Sequence, residues 1–476
     1  METISRLSNN SRALEARRNV FKIGVVAVSL LFGFFLRVYL IGARSFWLDE
    51  SDSANLLKEG YLQLFSKSIN TANNPAYVYL LKSWSAIFGN SEIGLRSFSL
   101  VCALLSIAAI YFLAKKIFDR KSGLWAAFIL SGNFFSVFYS VEARQYSLAI
   151  LASICSAYFF SKLVWGRQKK RDYFIYCAFS ILGIHLHPWF VLILASQVIS
   201  TLVFGKKYRE LLLSQAAVAV LSVPWVIILF KIRDSGANEW IGTAGIGTIF
   251  ETFRSFFWGN GFSYFIAIGI ALFFYFFAVD STKINGTVKY VLEERKRGRL
   301  PAEKITFALI YLIFPLLAAL IISQFFPFYS AGRYEAVVLP AFVMLLAFVF
   351  SKIESFYAAA AIGGIIAFTS WQAVAYEREK VLSYGSNDKT IAEDVLKKIE
   401  NNDIIVFTGI TRPPFDYYFS RLDLHNKNIR EISFPSGMEV HPAYQNSKDF
   451  SLRPENAEKE TNEIIREARA KEAKNI

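Results

Sequence analysis

The feature that most constrains this sequence is a series of long apolar runs separated by short polar segments. The first run extends from about Ile23 to Ile41, and further runs follow until about Ala375. A helix of about 17 to 25 apolar residues matches the thickness of the hydrocarbon core of a bilayer. A soluble protein would have to bury all these runs, and here 54% of the 476 residues are hydrophobic and only 19% are charged. We therefore predict a polytopic α-helical membrane protein.

The positions of the positive charges predict how the chain crosses the membrane. The net charge of +14 is compatible with nucleic acid binding, but in a membrane protein the placement of Lys and Arg is more informative. Basic segments lie near the amino terminus and between later apolar runs: residues 6–22, Lys115–Lys121, Gly166–Asp172, Gly205–Glu210 and Glu293–Arg299. If all are cytoplasmic, the chain has about eleven transmembrane helices in the cell (inner) membrane, with a cytoplasmic amino terminus and an external carboxyl terminus. The expected partner is the lipid bilayer and not nucleic acid.

The stretch between Asp172 and Gly205 is too long for one span and barely long enough for two. Its middle reads HLHPWF, where Pro188 is unfavourable inside a helix and the two histidines favour water. We predict a tight external turn there between two short helices.

The other segments predicted to be external carry most of the unusual polar motifs. They are Ala43 to about Ser91, Tyr139–Ser147, His185–Trp189, about Ile232 to Arg254, Gln324–Glu335, and the chain after about Ala375. After residue 375 the apolar runs stop, and KTIAEDVLKKIENNDIIVF predicts a helix followed by a strand at about Asp403 to Phe407. We predict a transmembrane domain over residues 1–375 and a small external α/β domain with a charged helical tail over residues 376–476.

Acidic residues stand where the chain leaves the first span. The motif WLDES contains Asp49 and Glu50 behind the aromatic Trp47. A charged residue at a membrane boundary is unfavourable unless it faces water or a partner. One alternative is a solvated loop in which Asp52 or Ser53 caps a helix through ANLLKEG. That alternative explains one acid but not the adjacent pair, so we favour a catalytic role.

A second helix is predicted in the same external segment. Asn74 suits an N-cap and Pro75 suits a first helical turn, so the helix should extend from about Pro75 to Phe88. It is short and aromatic, and we expect it to lie in the membrane interface. If it were instead a true span, the sidedness of all later loops would be inverted.

Two external arginine motifs and a histidine pair complete the polar candidates. YSVEARQYS contains Glu142 and Arg144, and SAGRYEA contains Arg333. The planar guanidinium of arginine suits phosphate oxygens. His185 and His187 are able to bind a metal, but polar packing or substrate contact is favoured because the turn offers no third ligand. The three cysteines lie within apolar runs, which indicates neither a disulfide framework nor a metal site.

Taken together, these motifs resemble the GT-C superfamily of polytopic glycosyltransferases, in particular the branch of protein O-mannosyltransferases and lipid A aminoarabinose transferases. The resemblance extends from about Phe46 to Pro340. The matching residues, in chain order, are Trp47, Asp49 and Glu50; Pro75, Tyr77, Tyr79, Gly89 and Arg96; Glu142, Ala143, Arg144 and Tyr146; and Arg333, Tyr334 and Pro340. The chain departs from the family pattern at Asn74, Pro75 and Ala76, where relatives usually have His-Pro-Pro.

The resemblance implies transfer of a sugar from a polyprenyl-phosphate donor to an unknown acceptor at the outer face of the membrane. The catalytic candidates are Asp49, as the general base, and Glu50, which would orient a substrate. Arg144 and Arg333 would hold the donor phosphate and stabilise it as it leaves. The remaining candidates for substrate binding are Glu142, Tyr146, Tyr334, Arg96, Tyr77 and His187. No metal and no cofactor are expected, and the alternatives are a transporter and a lipid-linked sugar flippase.

Overall fold

The computed structural model describes residues 24–70, 73–205, 208–234, 241–257, 302–353, 355–384, 388–408, 411–421, 428–435, 454–471, 473 and 475. The basic segments predicted at residues 6–22 and Glu293–Arg299 lie outside these residues. The described part of the chain is mainly helical, with a single two-stranded sheet near the carboxyl terminus.

The described helices are numbered here in chain order. The first half contains α1 (Gly24–Ile41), α2 (Leu48–Leu56), α3 (Tyr61–Asn70), α4 (Pro75–Phe88), α5 (Glu92–Ile117), α6 (Arg120–Gly132), α7 (Phe134–Ser140), α8 (Tyr146–Trp165), α9 (Lys170–Leu186), α10 (Phe190–Phe204), α11 (Tyr208–Asp234) and α12 (Ile246–Phe256). The second half contains α13 (Ala302–Ile322), a 3-10 helix (Tyr334–Val338), α14 (Leu339–Phe350), α15 (Phe356–Tyr384), α16 (Asp388–Lys398), β1 (Ile404–Thr408), α17 (Arg412–Phe419), β2 (Arg430–Phe434) and α18 (Pro454–Ala470).

Six of the described helices are long and apolar enough to cross a membrane, and the bent pair α6 and α7 makes up to seven. The six are α1, α5, α8, α11, α13 and α15. Shorter apolar helices, α10 and the continuous Tyr334–Phe350 segment, accompany them. The prediction of a polytopic helical membrane protein is confirmed. The predicted total of about eleven spans stays a prediction, because residues 258–301 lie outside the described part.

Several helix ends contact one another that were predicted to lie on the same side of the membrane. Trp165 Nε1 donates to Glu303 Oε2 at 3.1 Å, and Lys304 Nζ donates to the Lys116 carbonyl at 3.3 Å. The ends of α5 and α8 therefore meet the start of α13, each beside a predicted basic loop. The external motifs meet at the other end of the bundle, as described below. Which end faces the cytoplasm stays a prediction.

Two local predictions from the sequence are confirmed. Helix α4 has the predicted bounds, with Pro75 in its first turn and Gly89 just after its last residue at φ 78°, a backbone conformation that glycine adopts without strain. Helix α9 ends at Leu186 and α10 begins at Phe190, so HLHPWF forms the predicted turn between two short helices.

The alternative in which Asp52 or Ser53 caps the helix of the acidic segment is wrong, because the helix begins before these residues. Helix α2 begins at Leu48, with Trp47 at the N-cap position and Asp49 and Glu50 in its first turn. Carboxylates are favourable there because the free backbone N–H groups and the helix dipole are positive at this end. Asp52 and Ser53 thus lie inside the helix and do not cap it.

A break of 56° separates α6 from α7. Asn133 lies at the break, where its side chain accepts a hydrogen bond from Ser136 N at 3.0 Å and so caps α7. The fully buried Arg37 of α1 donates to the Ser131 carbonyl at 2.9 Å and to Ser136 Oγ at 3.0 Å. These bonds satisfy polar groups that the break exposes inside the bundle.

The residues after α15 form the predicted helix and strand. Helix α16 precedes β1, which pairs in parallel with β2 so that Ile404 lies opposite Arg430 and Thr408 opposite Phe434. Helix α17 connects the two strands, as a parallel pair requires a crossover. The charged tail forms α18 over Pro454–Ala470. The boundary at residue 375 falls within α15 (Phe356–Tyr384), and the division into two domains stays a prediction.

Candidate active site

Asp49 lies between two arginines that are far from it in the sequence. Its Oδ2 atom is 3.6 Å from Arg144 Nη2 and 3.4 Å from Arg333 Nη1. The carboxylate comes from the first turn of α2, Arg144 from the loop between α7 and α8, and Arg333 from the loop before the 3-10 helix. Direct charge-assisted hydrogen bonds of this type measure about 2.7 to 2.9 Å. The two contacts are therefore electrostatic but loose, and either guanidinium is able to turn towards another anion.

Glu50 is held far more tightly than Asp49. Its two oxygens accept from Arg96 Nε and Nη2 at 2.8 and 2.7 Å, and Oε1 also accepts from Ala143 N at 2.8 Å. Both side chains of the ion pair are fully buried. Burial alone disfavours a charged Glu50, but the adjacent Arg96 outweighs it and holds the pKa of this carboxyl below its usual range.

Arg96 uses all five of its N–H groups within the protein. Besides the two bonds to Glu50, it donates to the carbonyls of Ile41, Arg44 and Ser45 at 2.9, 2.8 and 3.1 Å. The pair therefore joins α2, α5 and the end of α1 into one unit. This geometry favours a role in positioning the segment around Asp49, whereas the predicted contacts of Glu50 and Arg96 with substrate stay predictions.

Arg144 is fixed from the side of the first external loop. Its Nη1 atom donates to Asn73 Oδ1 at 2.6 Å, to Ser53 Oγ at 3.1 Å and to the Asp49 carbonyl at 3.2 Å. Only 7% of the residue is exposed. Its Nη2 atom faces Asp49 at the loose distance given above, and its buried Nε has no hydrogen-bond acceptor in the described residues. The Nη1 atom of Arg144 is thus held by protein groups, whereas Nη2 makes only the loose contact with Asp49 and is able to bind another anion.

Arg333 is the more open of the two arginines. Its side chain is 29% exposed, and its guanidinium carbon lies 5.1 Å from the centre of the Trp47 ring, a cation–π arrangement. The loop that carries it is shaped by the buried carboxylate of Glu335, which accepts from Gly332 N at 2.5 Å and from Arg333 N at 3.1 Å. Trp47 and Glu335 therefore set the position of this guanidinium.

Glu142 is paired with an arginine that the sequence did not single out. Its Oε1 atom is 2.7 Å from Arg44 Nη2. The second oxygen, Oε2, is buried and accepts no hydrogen bond from the described residues. Burial raises the pKa of Glu142, and Arg44 only partly opposes this shift. A carboxyl group with one unsatisfied oxygen at this depth is suited to bind a hydroxyl group of a substrate.

Three of the four predicted aromatic candidates form one cluster near the arginines. The His187 ring centre is 5.3 Å from that of Tyr334 and 6.2 Å from that of Tyr146. Burial lowers the pKa of His187 to about 3, so the ring is neutral at physiological pH. Tyr77, on α4, is also buried, with its ring 6.0 Å from Phe98. The structure therefore brings His187, Tyr146 and Tyr334 together, while Tyr77 packs between α4 and α5.

The histidine pair does not converge on one point. His185 Nδ1 lies 2.9 Å from the Ile181 carbonyl and its ring stacks on Trp225, whereas His187 Nδ1 accepts from Trp189 N at 3.3 Å. In the described part of the chain no three His, Cys, Asp or Glu side chains are grouped as metal ligands. The expectation of a metal-independent protein stays a prediction.

Sequence reasoning missed four residues that shape the site: Arg44, Ser53, Asn73 and Glu335. Arg44 and Glu335 are charged residues close in sequence to the WLDES and Arg333–Tyr334 motifs, and this closeness could have indicated that they belong to the site. The sequence indicated Ser53 only as a helix cap and Asn73 not at all, because their role depends on a contact with Arg144 across a large sequence separation.

The fold is similar to those of solved membrane proteins. ArnT from Cupriavidus metallidurans bound to undecaprenyl phosphate is 12% identical, with a TM-score of 0.54 over 91% of this chain and 88% of that chain. The apo state of the same ArnT gives a TM-score of 0.55 at 12% identity over 85% of each chain. The Archaeoglobus fulgidus oligosaccharyltransferase tethered with an acceptor peptide containing the NVT sequon gives 0.51 at 11% identity, covering 93% of this chain and 68% of that chain. At such identities the similarity establishes the fold.

The chain thus has the fold of these solved structures, and this fold agrees with the resemblance to the GT-C superfamily seen in the sequence. More particularly, residues 72–232 match the family described as dolichyl-phosphate-mannose-protein mannosyltransferase. The matched region includes α4, Arg96 and the Glu142–Arg144 loop. No curated protein sequence matches the chain significantly.

Proposed function

We propose that this protein is a membrane glycosyltransferase that moves a sugar from a polyprenyl-phosphate donor to an acceptor at the external face of the membrane. The observation that carries the proposal is the position of Asp49 Oδ2, 3.4 Å from Arg333 and 3.6 Å from Arg144. One carboxylate and two arginines provide the two functions that such a transfer requires, namely a proton acceptor and a cationic site for a phosphate. The mannosyltransferase family match over residues 72–232 supports the same class of reaction.

The proposed step is a single displacement at the anomeric carbon of the donor. The acceptor O–H or N–H is deprotonated by Asp49 as its heavy atom bonds to this carbon. The bond between the carbon and the phosphate oxygen breaks, and its electron pair stays on that oxygen. The products are the glycosylated acceptor, protonated Asp49 and polyprenyl phosphate with one additional negative charge.

Arg144 and Arg333 are proposed to stabilise that additional charge. Before the donor binds, both arginines neighbour the Asp49 carboxylate and favour its ionised form. A bound phosphate offers them stronger acceptors, and the loose contacts of 3.4 and 3.6 Å leave the guanidinium groups able to turn towards it. Turning away from Asp49 raises the basicity of its carboxylate when the donor is in place. Donor binding and base activation are thereby linked.

The position of the site agrees with a lipid-linked donor. Asp49 follows α1 closely in the sequence and both arginines lie in loops next to apolar helices. A sugar attached to a polyprenyl phosphate is held at this depth because its lipid tail stays in the hydrocarbon region. Glu142 and the cluster of His187, Tyr146 and Tyr334 are proposed to contact the sugar or the phosphate.

The test is an assay of purified protein in detergent with a panel of polyprenyl-phosphate sugars, an acceptor mixture from cell envelope, and measurement of released polyprenyl phosphate. Release that depends on the acceptor and on Asp49 supports the proposal. The same protein in vesicles is tested for movement of the lipid-linked sugars across the bilayer. Translocation without release would instead identify a lipid-linked sugar flippase.

A further inference from the structure

The unit after α15 contacts the acidic segment of the candidate site directly. Helix α17 packs on α2, where Asn55 Nδ2 donates to the Pro413 carbonyl at 3.0 Å. Just after α2, Lys58 Nζ donates to the Asp416 carbonyl at 3.3 Å. Helix α2 is short and lies in a connection between longer helices, so its own hydrogen bonds do not fix its position. Its neighbours must do so, and α17 is one of them.

The most specific of these contacts is made by the hydroxyl group of Tyr418, a residue with 3% exposure. This oxygen accepts from Phe46 N at 2.8 Å and donates to Glu92 Oε1 at 2.7 Å. Phe46 directly precedes the N-cap residue of α2, and Glu92 is the first residue of α5. One hydroxyl group therefore joins the starts of two helices, and both of its hydrogen-bonding functions are used.

The same two helices are joined a second time, four residues further along each. Glu50 of α2 and Arg96 of α5 form the buried ion pair at 2.7 Å. The Phe46 ring lies between the two links, 5.0 Å from the Arg96 guanidinium carbon and 4.8 Å from the Tyr417 ring. Asp49 lies between Phe46 and Glu50, the two linked residues of this segment. The second link limits how far the start of this short helix can turn about the buried ion pair.

We propose that Tyr418 is a positioning residue of the candidate active site. It fixes the start of α2 against the start of α5 and so holds the Asp49 carboxylate opposite Arg144 and Arg333. The unit that carries Tyr418 is then part of the transfer machinery and not only an appended domain. This inference rests on the proposed glycosyl transfer.

The test uses the full chain with Tyr418→Phe, which removes the hydroxyl group and keeps the ring. Turnover of a polyprenyl-phosphate sugar should fall about three- to tenfold with little change in the KM for the donor, because the phosphate-binding arginines are untouched. Backbone hydrogen exchange should rise in the peptides that contain residues 46–56 and 92–96. Tyr376→Phe, at a tyrosine with 69% exposure, is the matched control and should change neither quantity.

Glu92→Gln weakens the same link from its other end. It replaces Tyr418→Phe in these measurements if that variant does not fold. A double variant should be no slower than the slower single variant, because both changes remove one connection. Unchanged turnover, or unchanged exchange in α2, overturns the proposal, as does an additive double variant. If the wild-type protein transfers no sugar, the proposed function fails instead, and the exchange measurement alone then decides whether Tyr418 holds α2.

Discussion

Glu50 and Arg96 form a fully buried ion pair in which Arg96 Nε and Nη2 donate to the two Glu50 oxygens at 2.8 and 2.7 Å, and the other three Arg96 N–H groups bind the backbone carbonyls of Ile41, Arg44 and Ser45. Glu50 directly follows Asp49 in the sequence, but its ion pair with Arg96 is separated from solvent. Its place in the molecule indicates that the two neighbouring acids of the WLDES motif have different tasks. Asp49 faces the arginines of the site, and Glu50 anchors the helix that carries Asp49.

Glu50→Gln should therefore lower stability strongly. The change leaves the Arg96 charge buried without its counter-ion, which typically costs about 3 to 5 kcal/mol. Thermal melting and yield of the purified protein in detergent are the measurements. The control is Glu59→Gln, which breaks the 2.7 Å pair with Lys67 at a partly exposed position and should cost at most about 1 kcal/mol. Equal melting of the two variants would contradict the anchoring role.

Asp49→Asn should abolish most of the transfer while donor binding survives. The amide has nearly the size of the carboxylate but cannot take the proton from the acceptor substrate. General-base catalysis contributes about 100- to 10,000-fold in rate. Single-turnover transfer and donor affinity are measured on the same preparation. Asp394→Asn, in a surface pair with Lys397, is the control for the substitution itself. Full transfer by Asp49→Asn would show that Asp49 is not the general base.

Arg333→Ala should weaken donor binding and also slow transfer. A phosphate contact that exists before the reaction becomes stronger as charge develops on the leaving group. Loss of a charge-assisted hydrogen bond is worth about 1.5 to 3 kcal/mol, or roughly ten- to a hundredfold in affinity. Arg333→Lys should restore only part of this, because lysine lacks the planar fork that stacks on Trp47.

Arg144→Ala should have the same two effects together with a loss of stability, because its contacts with Asn73 and Ser53 tie two loops together. Arg209→Ala, at an exposed position beside a predicted basic loop, is the control for both arginine variants. Wild-type affinity for polyprenyl phosphate in Arg144→Ala and Arg333→Ala would contradict the proposed phosphate site.

His187 should make stability depend on pH in a predictable direction. Its pKa is about 3 in the folded protein and near 6.5 in an unfolded chain. Between these pH values the unfolded chain binds more protons than the folded protein, so the free energy of unfolding rises with pH. The contribution of His187 to stability is therefore present above about pH 6.5 and decreases as the pH falls below that value. Melting temperatures between pH 7.5 and 5 should fall less in His187→Gln than in the wild type. Parallel pH profiles would show that the ring is not buried in its neutral form.

Reporter fusions test the orientation. Fusions after Lys121 and Lys170 should report cytoplasm, and fusions after Gln145 and at the carboxyl terminus should report the exterior. The contacts between Trp165 and Glu303 and between Lys304 and Lys116 place the loops after α5 and α8 at the same end of the bundle. An external signal at Lys170 with an internal one at Gln145 would place the candidate site on the cytoplasmic face.

The sequence by itself determined the features that depend on local patterns. Long apolar runs require spanning helices because an unpaired backbone is too costly in hydrocarbon. Asn74, Pro75 and Gly89 define helix α4, and Pro188 defines the turn between α9 and α10, because these residues restrict backbone angles independently of the rest of the chain. The WLDES, EARQY and RYE motifs were identified as candidates in the same way.

Only the tertiary structure decided which of those residues meet. The division between Asp49 and Glu50 depends on Arg96, Arg144 and Arg333, and no local pattern encodes contacts over such separations. The same holds for Tyr418, which lies in a segment whose sequence indicated only a small α/β unit and which reaches Phe46 across 372 positions. The start of α2 was mispredicted because the positive helix end accommodates Asp49 and Glu50 in its first turn. Long-range packing fixes a site because burial forces each charged group to find its partner in space, whatever its position in the chain.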